Sequence, residues 1–231
     1  MVSGGENDGM MARRGVMGVL AGGVAAVLGG CGMMGHTYRY KLTVEVETPE
    51  GQRTGYSVRE VSWSPGVQIT AEADTASMTH RGEAAMVDLP NGQVLFALMS
   101  PDGQETPMLA FGSARQTAWS DDSVKVLEPH AKIDAAYGQS GYPRLVRFRD
   151  IADPKTVEKV NPANLAATFG PGYRLKRITA QIVSEDVTEK VKTQLRWLSG
   201  YPEPKLNPKH GPDDRSLPAI LDHGDFVRTL K

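Results

Sequence analysis

The residue types that carry catalysis or metal binding are scattered along this chain of 231 residues. The five histidines are not spaced as metal ligands, and the sequence contains no G-x-S-x-G, H-E-x-x-H or G-x-x-x-x-G-K-S/T pattern. The densest polar cluster is Asp213-Asp214 together with Asp222-His223-Gly224-Asp225, whose oxygen and nitrogen atoms suit a metal ion. Acidic residues amid proline and glycine are more typical of an exposed loop, so we predict no metal site and no catalytic residue.

Cys31 is the only cysteine, and the residues before it have the features of a secretion signal. Arg13 and Arg14 supply positive charge, and residues 15–27 form an uncharged run rich in valine, alanine and glycine. The polar residues before Met10 do not fit the start of such a signal, which leaves Met10 or Met11 as alternative starts. The apolar run ends in Leu28-Gly29-Gly30-Cys31.

That ending resembles the lipobox of bacterial lipoproteins, in which a branched apolar residue and two small residues precede a cysteine. The resemblance implies cleavage between Gly30 and Cys31, a diacylglycerol on the thiol and an acyl chain on the new amino group. Several acyl chains, at ~0.8 kcal/mol per buried methylene, hold a protein stably on a bilayer. Gly32 follows the cysteine, where enteric inner-membrane lipoproteins carry aspartate, so the resemblance favours the outer membrane, with the protein facing the periplasm.

An uncleaved transmembrane helix is the alternative interpretation of the leader. Residues 15–30 are short and glycine-rich for a spanning helix, which needs ~20 apolar residues. We therefore expect residues 1–30 to be a signal peptide and residues 31–36 to be a lipidated tether.

Composition limits the partners and cofactors that we expect. A formal net charge of −1 argues against nucleic acid as the main ligand, because nucleic-acid-binding domains usually carry a clear excess of positive charge. A single cysteine excludes an internal disulfide. If Cys31 is lipidated, its thiol is neither a nucleophile nor a metal ligand. The expected partners are the lipid bilayer and an envelope protein, and no cofactor is expected apart from the covalent lipid.

The mature chain is predicted to be a single α+β domain over residues 37–200, mainly antiparallel sheet with hairpins in its N-terminal half. Residues 37–48 alternate between apolar and polar, which predicts a half-buried strand. The alternation changes phase within residues 56–63, which predicts a bulge near Arg59-Glu60. Pro90-Asn91-Gly92 predicts a hairpin turn between strands at 82–89 and 93–99. Further strands are predicted at residues 67–73, 145–150 and 173–183.

Short helices are predicted mainly in the C-terminal half. Thr106-Pro107, Asp153-Pro154 and Asn161-Pro162 each place proline at a first helical position, and the last of these helices should stop at Gly170. Residues 185–198 form the best amphipathic pattern, with Ser184 as cap and an apolar stripe of Val187, Val191, Leu195 and Leu198. Residues 201–231 are rich in proline, lack periodicity and are predicted to form an extended tail.

Three groups of residues could form binding surfaces. Tyr38, Tyr40, Tyr56 and Trp63 could stack on a ligand, although aromatic residues at strand spacing more often form core. Arg144, Arg147 and Arg149, with Arg174, Lys176 and Arg177, could meet anionic lipid or an acidic partner if their strands were adjacent. Ordinary charged strand faces are the favoured interpretation. Trp119 beside Asp121-Asp122 could form a sugar site, but a loop with one packing tryptophan is favoured.

The mature region is similar to uncharacterised Gram-negative envelope proteins in two segments, residues 36–51 and 169–177. This resemblance implies no activity. The leading hypothesis is a membrane-tethered envelope lipoprotein with a binding or scaffolding role, and more likely not an enzyme than an enzyme. The alternative is an envelope hydrolase acting on glycan or peptide, with its site within residues 101–142, because long loops are often functional. A surface-exclusion lipoprotein of a mobile element is a third possibility, which the sequence does not separate from the first.

Overall fold

Two long strands, β1 (His36–Thr48) and β2 (Gly51–Ser64), form the hairpin on which the fold is built. In β1 the even-numbered positions from Tyr40 to Val46 are fully buried, which confirms the predicted alternation. The turn ends at Gly51, whose φ of 109° suits glycine far better than other residues. Every residue of β1 pairs with β2 in one continuous antiparallel register, from His36 with Trp63 to Thr48 with Gly51.

The computed structural model describes residues 35–64, 77–99, 106–111, 123–128, 142–198 and 204–229. The other strands in these ranges are β3 (Ser77–Glu83), β4 (Ala85–Asp88), β5 (Val94–Ala97), β6 (Lys125–Leu127), β7 (Leu145–Phe148), β8 (Val157–Lys159), β9 (Arg174–Val183) and β10 (Val227–Arg228). The helices are α1 (Thr106–Phe111), α2 (Ala166–Phe169), α3 (Val191–Gln194) and α4 (Leu217–Ile220).

The strands form two antiparallel sheets that share a core. The first sheet has the order β10-β3-β2-β1-β9-β6, and the second has the order β4-β5-β7-β8. Leu42 and Val44 of the first sheet and Val87 and Leu95 of the second belong to one buried cluster. The second sheet includes the predicted hairpin, in which β4 pairs with β5 around Asn91-Gly92. Removing this apolar surface from water is the main stabilising contribution.

The opposite face of the second sheet packs against a second core. Phe96 and Phe148 meet at 5.6 Å between ring centroids, and Phe226 and Trp197 complete the aromatic group, with Phe148 and Trp197 5.5 Å apart. Edge-to-face contacts of this kind add stability beyond the area that they bury. Both faces of the second sheet are therefore covered.

The C-terminal residues take part in this second core, which differs from the extended tail predicted over 201–231. Leu206, Leu221 and Phe226 are fully buried, and β10 pairs with β3 at the edge of the first sheet. Residues 204–229 belong to the same compact unit as the sheets, so the folded domain extends beyond residue 200. The segment lacks periodicity because it contributes separate large side chains to the second core and not one face of a regular helix or strand.

The predicted amphipathic helix over 185–198 is wrong. Residues 184–190 are not helical, and α3 covers only Val191–Gln194. Thr188 replaces helical hydrogen bonds with bonds to β2: its main-chain N–H donates to the Val58 carbonyl at 3.3 Å, and its Oγ1 accepts from the Val58 N–H at 3.1 Å. We call residues 184–190 the strap, because they cross from β9 to the far edge of β2.

The bulge predicted near Arg59-Glu60 is also wrong. The β1–β2 register has no shift there, and residues 57–61 are all buried because both faces of the strand are covered. The irregularity lies instead between Glu45 and Val46, where β1 pairs with β9. A strand covered on both sides loses its apolar and polar alternation without any change of register.

Two smaller segments differ in part from prediction. Asp153 accepts a hydrogen bond from the Lys155 N–H and Pro154–Thr156 forms a 3-10 turn, but the chain then enters β8 rather than a longer helix. The helix predicted after Pro162 is shortened to α2 and ends at Gly170, as expected. The strands at 145–148 and 174–183 agree with prediction.

In the part of the chain that the structure describes, 44% of the residues are in strands and 16% are helical, with four short α-helices, so the fold is mostly antiparallel sheet and compatible with an α+β class in which sheet predominates. In the part of the chain that the structure describes, no helix is long and apolar enough to cross a membrane. The leader, Cys31, the strand predicted at 67–73 and the pair Asp121-Asp122 with Trp119 lie outside the described residues.

Candidate functional site

The outer face of the first sheet, which points away from the second sheet, carries an ordered network of charges. Glu45 is only 7% exposed, and its carboxylate accepts from Arg177 Nε at 2.7 Å and lies 3.2 Å from Lys176 Nζ. Burial alone would raise the pKa of Glu45, but the hydrogen bonds and charges of Arg177 and Lys176 outweigh burial and hold that pKa below its usual value. The carboxylate is therefore fixed in its ionised form.

The strap adds acidic residues to this face. Arg39 donates to Glu60 at 2.8 Å and to Asp186 at 2.7 Å, and Lys41 pairs with Glu185. Arg81 on β3 lies 3.5 Å from Glu189. The three acidic residues of the strap therefore each pair with a basic residue on β1 or β3. These ion pairs hold the strap against the sheet, which explains why it does not form a helix.

The two groups of basic residues singled out in the sequence do not form one patch. Arg147 and Arg149 lie on and just after β7 of the second sheet, and both pair with Glu158 at 2.9 Å. Arg174, Lys176 and Arg177 lie on β9 of the first sheet, where they pair with Glu45 and Glu47. The favoured interpretation as ordinary charged strand faces agrees with these partners.

A row of uncharged residues crosses the outer face between the charged rows. The sheet register aligns four residues on neighbouring strands: Tyr56, Thr43, Thr179 and Val126. Tyr56 is 40% exposed and Val126 is 55% exposed, and both are among the large apolar residues most exposed to solvent. The Nζ atoms of Lys41 and Lys190 each lie 4.9 Å from the centroid of the Tyr56 ring, which fixes it by cation–π contact. We call these four residues the uncharged row.

The aromatic residues of the first hairpin serve different purposes. Tyr40 is part of the core, and Tyr38 packs against that core. Tyr56 points to the outer face, and Trp63 stacks on His36 at the end of the sheet. The sequence therefore identified Tyr56 as an aromatic candidate but did not identify the row to which it belongs, because Thr43, Thr179 and Val126 are distant in sequence.

Arg59 forms a buried polar link between the two sheets. It is 1% exposed, and its Nε donates to Ser57 Oγ and to the Glu83 carbonyl, both at 3.0 Å. Its Nη2 donates to the Ala97 carbonyl on β5 at 2.9 Å, while Nη1 has no hydrogen-bond partner among the described residues. Burial raises the pKa of the neighbouring Tyr40, against the opposing effect of the Arg59 charge. Apart from the break in alternation, no local pattern in the sequence indicates this role.

His80 on β3 lies close to the charge of Arg59 and gives the fold a pH-dependent contribution. Burial first, and then the positive charges of Arg228 and Arg59, lower the pKa of His80 from 6.5 to about 4. Between these pH values the unfolded chain binds a proton that the folded state excludes. His80 therefore does not reduce the free energy of unfolding above pH 6.5. As the pH decreases from 6.5 toward 4, protonation of His80 in the unfolded chain lowers the free energy of unfolding.

We expect His80→Gln to reduce this loss of stability in acid. The full contribution is up to about 3 kcal/mol, from 1.36 kcal/mol per pKa unit. Urea denaturation of wild type and variant near pH 7 and near pH 4.5 measures it, and the variant should lose less free energy of unfolding between the two conditions. An equal loss in the two proteins would contradict the role of His80.

The acidic cluster near the C-terminus has structural partners for its carboxylates. Asp225 Oδ2 accepts from the Asp222 N–H at 2.8 Å, and these two residues form a capping box around a 3-10 turn. Asp214 accepts from the Ser216 N–H at 2.8 Å, and Lys205 lies 3.3 Å from Asp222. Within the described ranges, no three His, Cys, Asp or Glu side chains group as metal ligands.

A cleft of about 270 Å³ opens at the end of the second sheet. Its walls include Phe96 and Phe148, with Gln93, Arg149 and Gln194 at the polar edge. Asp150 is the one acidic residue among the described residues that line it, and its carboxylate accepts from the Ala152 N–H at 2.9 Å. This lining does not provide the pair of carboxylates that glycoside hydrolysis uses. Most of residues 101–142, where the hydrolase alternative placed its site, lies outside the described residues.

Comparisons with protein-family models, with curated proteins and with solved structures found no match. Among the surfaces described, the outer face combines fixed charges with exposed apolar side chains, and it is the best candidate for binding a partner.

Proposed function

We propose that the chain is a lipid-anchored protein of the bacterial cell envelope, tethered through Cys31 and facing the periplasm, that binds a protein partner on its outer face. The observation that carries the anchor is the sequence itself: a basic start, an apolar run, two glycines and a lone cysteine occur in order before His36, where the first strand begins. Gly32 after the cysteine favours the outer membrane over the inner membrane.

The outer face supports the binding role because its organisation matches that of a protein interface. Interfaces place uncharged and aromatic residues at their centre and polar residues with arginine at the rim. Here the uncharged row lies between Lys41 on one side and Glu45 with Arg177 on the other. The charges are already held by partners within the fold, so little side-chain entropy would be lost on docking. Such a surface provides specificity through complementary charge.

We expect Cys31→Ser to prevent maturation. Without the thiol, no diacylglycerol is attached and the lipoprotein peptidase has no substrate, so full-length precursor should accumulate. Intact mass spectrometry of protein from envelope membranes measures both effects. A variant of normal mature size that still carries acyl chains would contradict the anchor.

We expect Val126→Glu to weaken partner binding by about tenfold or more, because it places an unpaired charge within the proposed contact, at the β6 end of the uncharged row. Val126 is 55% exposed, so the substitution should leave the fold intact. Ile220→Glu is the matched control, since Ile220 is 44% exposed but lies on α4, outside the first sheet. Capture from crosslinked, solubilised envelopes should lose the same partner only with Val126→Glu. Equal recovery by all three proteins would contradict this surface.

A further inference from the structure

The end of the first sheet where β1 begins carries a row of apolar and aromatic side chains. His36 pairs with Trp63, and Trp63 pairs with Met78, so the three residues lie side by side on β1, β2 and β3. The rings of His36 and Trp63 are stacked, with centroids 6.1 Å apart and an interplanar angle of 14°. Met78 is 37% exposed, His36 is exposed and Trp63 is half-buried. We call these residues the end row.

The opposite side of the same sheet end is also uncharged. Thr37 pairs with Ser62, and Ser62 pairs with Thr79, while Thr37 and Ser62 share a hydrogen bond of 2.9 Å between their hydroxyls. The first charged side chains along β1 and β2 are Arg39 and Glu60, which neutralise each other at 2.8 Å. Among the described residues of β1, β2 and β3, a surface that approaches this end along the strands meets hydroxyl, aromatic and thioether groups before it meets an unpaired charge.

The length of the tether determines which surface that is. Four residues separate Cys31 from His36. Even fully extended, the chain from Cys31 to His36 spans at most about 18 Å, at ~3.3–3.6 Å per residue. This step rests on the proposed lipidation of Cys31. If the acyl chains are in the bilayer, the short tether keeps the end row near the lipid headgroups. Tryptophan is favoured at this level of a membrane, because its ring is apolar while its N–H remains hydrated.

We propose that the end row is a membrane-contact surface, which rests on the lipid headgroup region and adds to the acyl anchor. If the end row lies on the membrane, β1 runs away from the membrane from His36 to Thr48. The hairpin turn at Pro49-Glu50 then lies about 40 Å further out, from 13 residues at ~3.3 Å each. The outer face is then roughly parallel to the membrane normal, so a partner in the periplasm can reach it from the side.

Two engineered thiols test this arrangement on the full-length, lipidated protein. Because Cys31 is the only natural cysteine, Met78→Cys and Glu50→Cys each introduce a single free thiol for an NBD fluorophore. The two sites lie at opposite ends of the first sheet: Met78 is on β3 beside the open end of the β1–β2 hairpin, and Glu50 is exposed in the hairpin turn. The proteins are reconstituted in vesicles of phosphatidylethanolamine and phosphatidylglycerol, with or without lipid that carries a nitroxide on its headgroup.

We expect the nitroxide lipid to quench the fluorophore at position 78 by about twofold or more and to leave that at position 50 unchanged, because a nitroxide quenches only fluorophores in its immediate vicinity. In unlabelled protein, Trp63→Phe should remove the quenching of tryptophan emission by the nitroxide lipid. Equal quenching at positions 78 and 50, or full tryptophan quenching in Trp63→Phe, would overturn the proposal. Mass spectrometry of the same samples separates the two claims: an acylated protein without quenching overturns the membrane contact alone, and a missing acyl group overturns the anchor as well.

Discussion

Replacing Gly55 with alanine should destabilise the protein more than any other single methyl group added to a described glycine. A Cβ at this position would lie 1.7 Å from the main-chain oxygen of Met86 and 2.4 Å from its carbonyl carbon. These are backbone atoms of β4, which crosses β2 at this point, so no side chain can rotate away. The two sheets would have to separate locally. We expect a loss of about 3 kcal/mol or more in the free energy of unfolding, at the upper end of overpacking effects.

Gly211→Ala is the matched control for this substitution. A Cβ on Gly211 would meet no atom within 4 Å, and its φ does not require glycine. Its effect should be within about 0.5 kcal/mol of wild type, or slightly stabilising through reduced entropy of the unfolded chain. Urea denaturation of the three proteins measures the difference. If Gly55→Ala unfolded at the same urea concentration as Gly211→Ala, the close crossing of β4 over β2 would be contradicted.

The second large effect is expected for Arg59→Met. Methionine fills much of the same space but donates no hydrogen bond, so the Glu83 and Ala97 carbonyls and the Ser57 hydroxyl lose their donor inside the protein. Each unsatisfied buried group costs about 1–3 kcal/mol. Relief from burying a charge offsets part of this cost. We expect a net loss of about 3 kcal/mol, measured as a shift in the urea midpoint.

Arg53→Met is a suitable control because Arg53 lies on the same strand, on the same side of the sheet, but at its exposed end. Its side chain is 43% exposed and forms an ion pair of 3.4 Å with Glu50. Exposed pairs of this kind contribute about 0–1 kcal/mol, so the control should unfold almost as wild type does. Equal losses in Arg59→Met and Arg53→Met would show that the link between the sheets contributes nothing.

The elements that the sequence predicted well are those set by neighbouring residues. The alternation in 37–48 specifies a strand with one buried face, and Asn91-Gly92 specifies the turn of a hairpin, because each signal is contained within a few residues. Gly170 ends α2 for the same reason, with a φ of 107° that other residues rarely adopt. Local chemistry decides these features, so one sequence is enough.

The elements that were predicted wrongly depend on partners far away in sequence. The strap has the composition of a helix, but its acids bind Arg39 and Lys41, which are almost 150 residues earlier, and Thr188 bonds to Val58. Leu206, Leu221 and Phe226 have no common period, yet they cover one sheet face together. Arg59 breaks the strand pattern because its hydrogen bonds lie in the second sheet. The uncharged row was missed for a related reason: it exists only once four strands are in register.

The most direct test of the proposed function is the mass of the N-terminal peptide of the native protein, purified from envelope membranes without mutation. A lipid-anchored protein should begin at Cys31, with a diacylglyceryl group on the thiol and an acyl chain on the amino group. Mild alkaline hydrolysis of that peptide should remove the two ester-linked acyl chains and should leave the glyceryl thioether on the thiol and the amide-linked chain on the amino group. A mature protein that retains residues before Cys31, or one that carries Cys31 as a free thiol, would contradict the anchor on which the proposal depends.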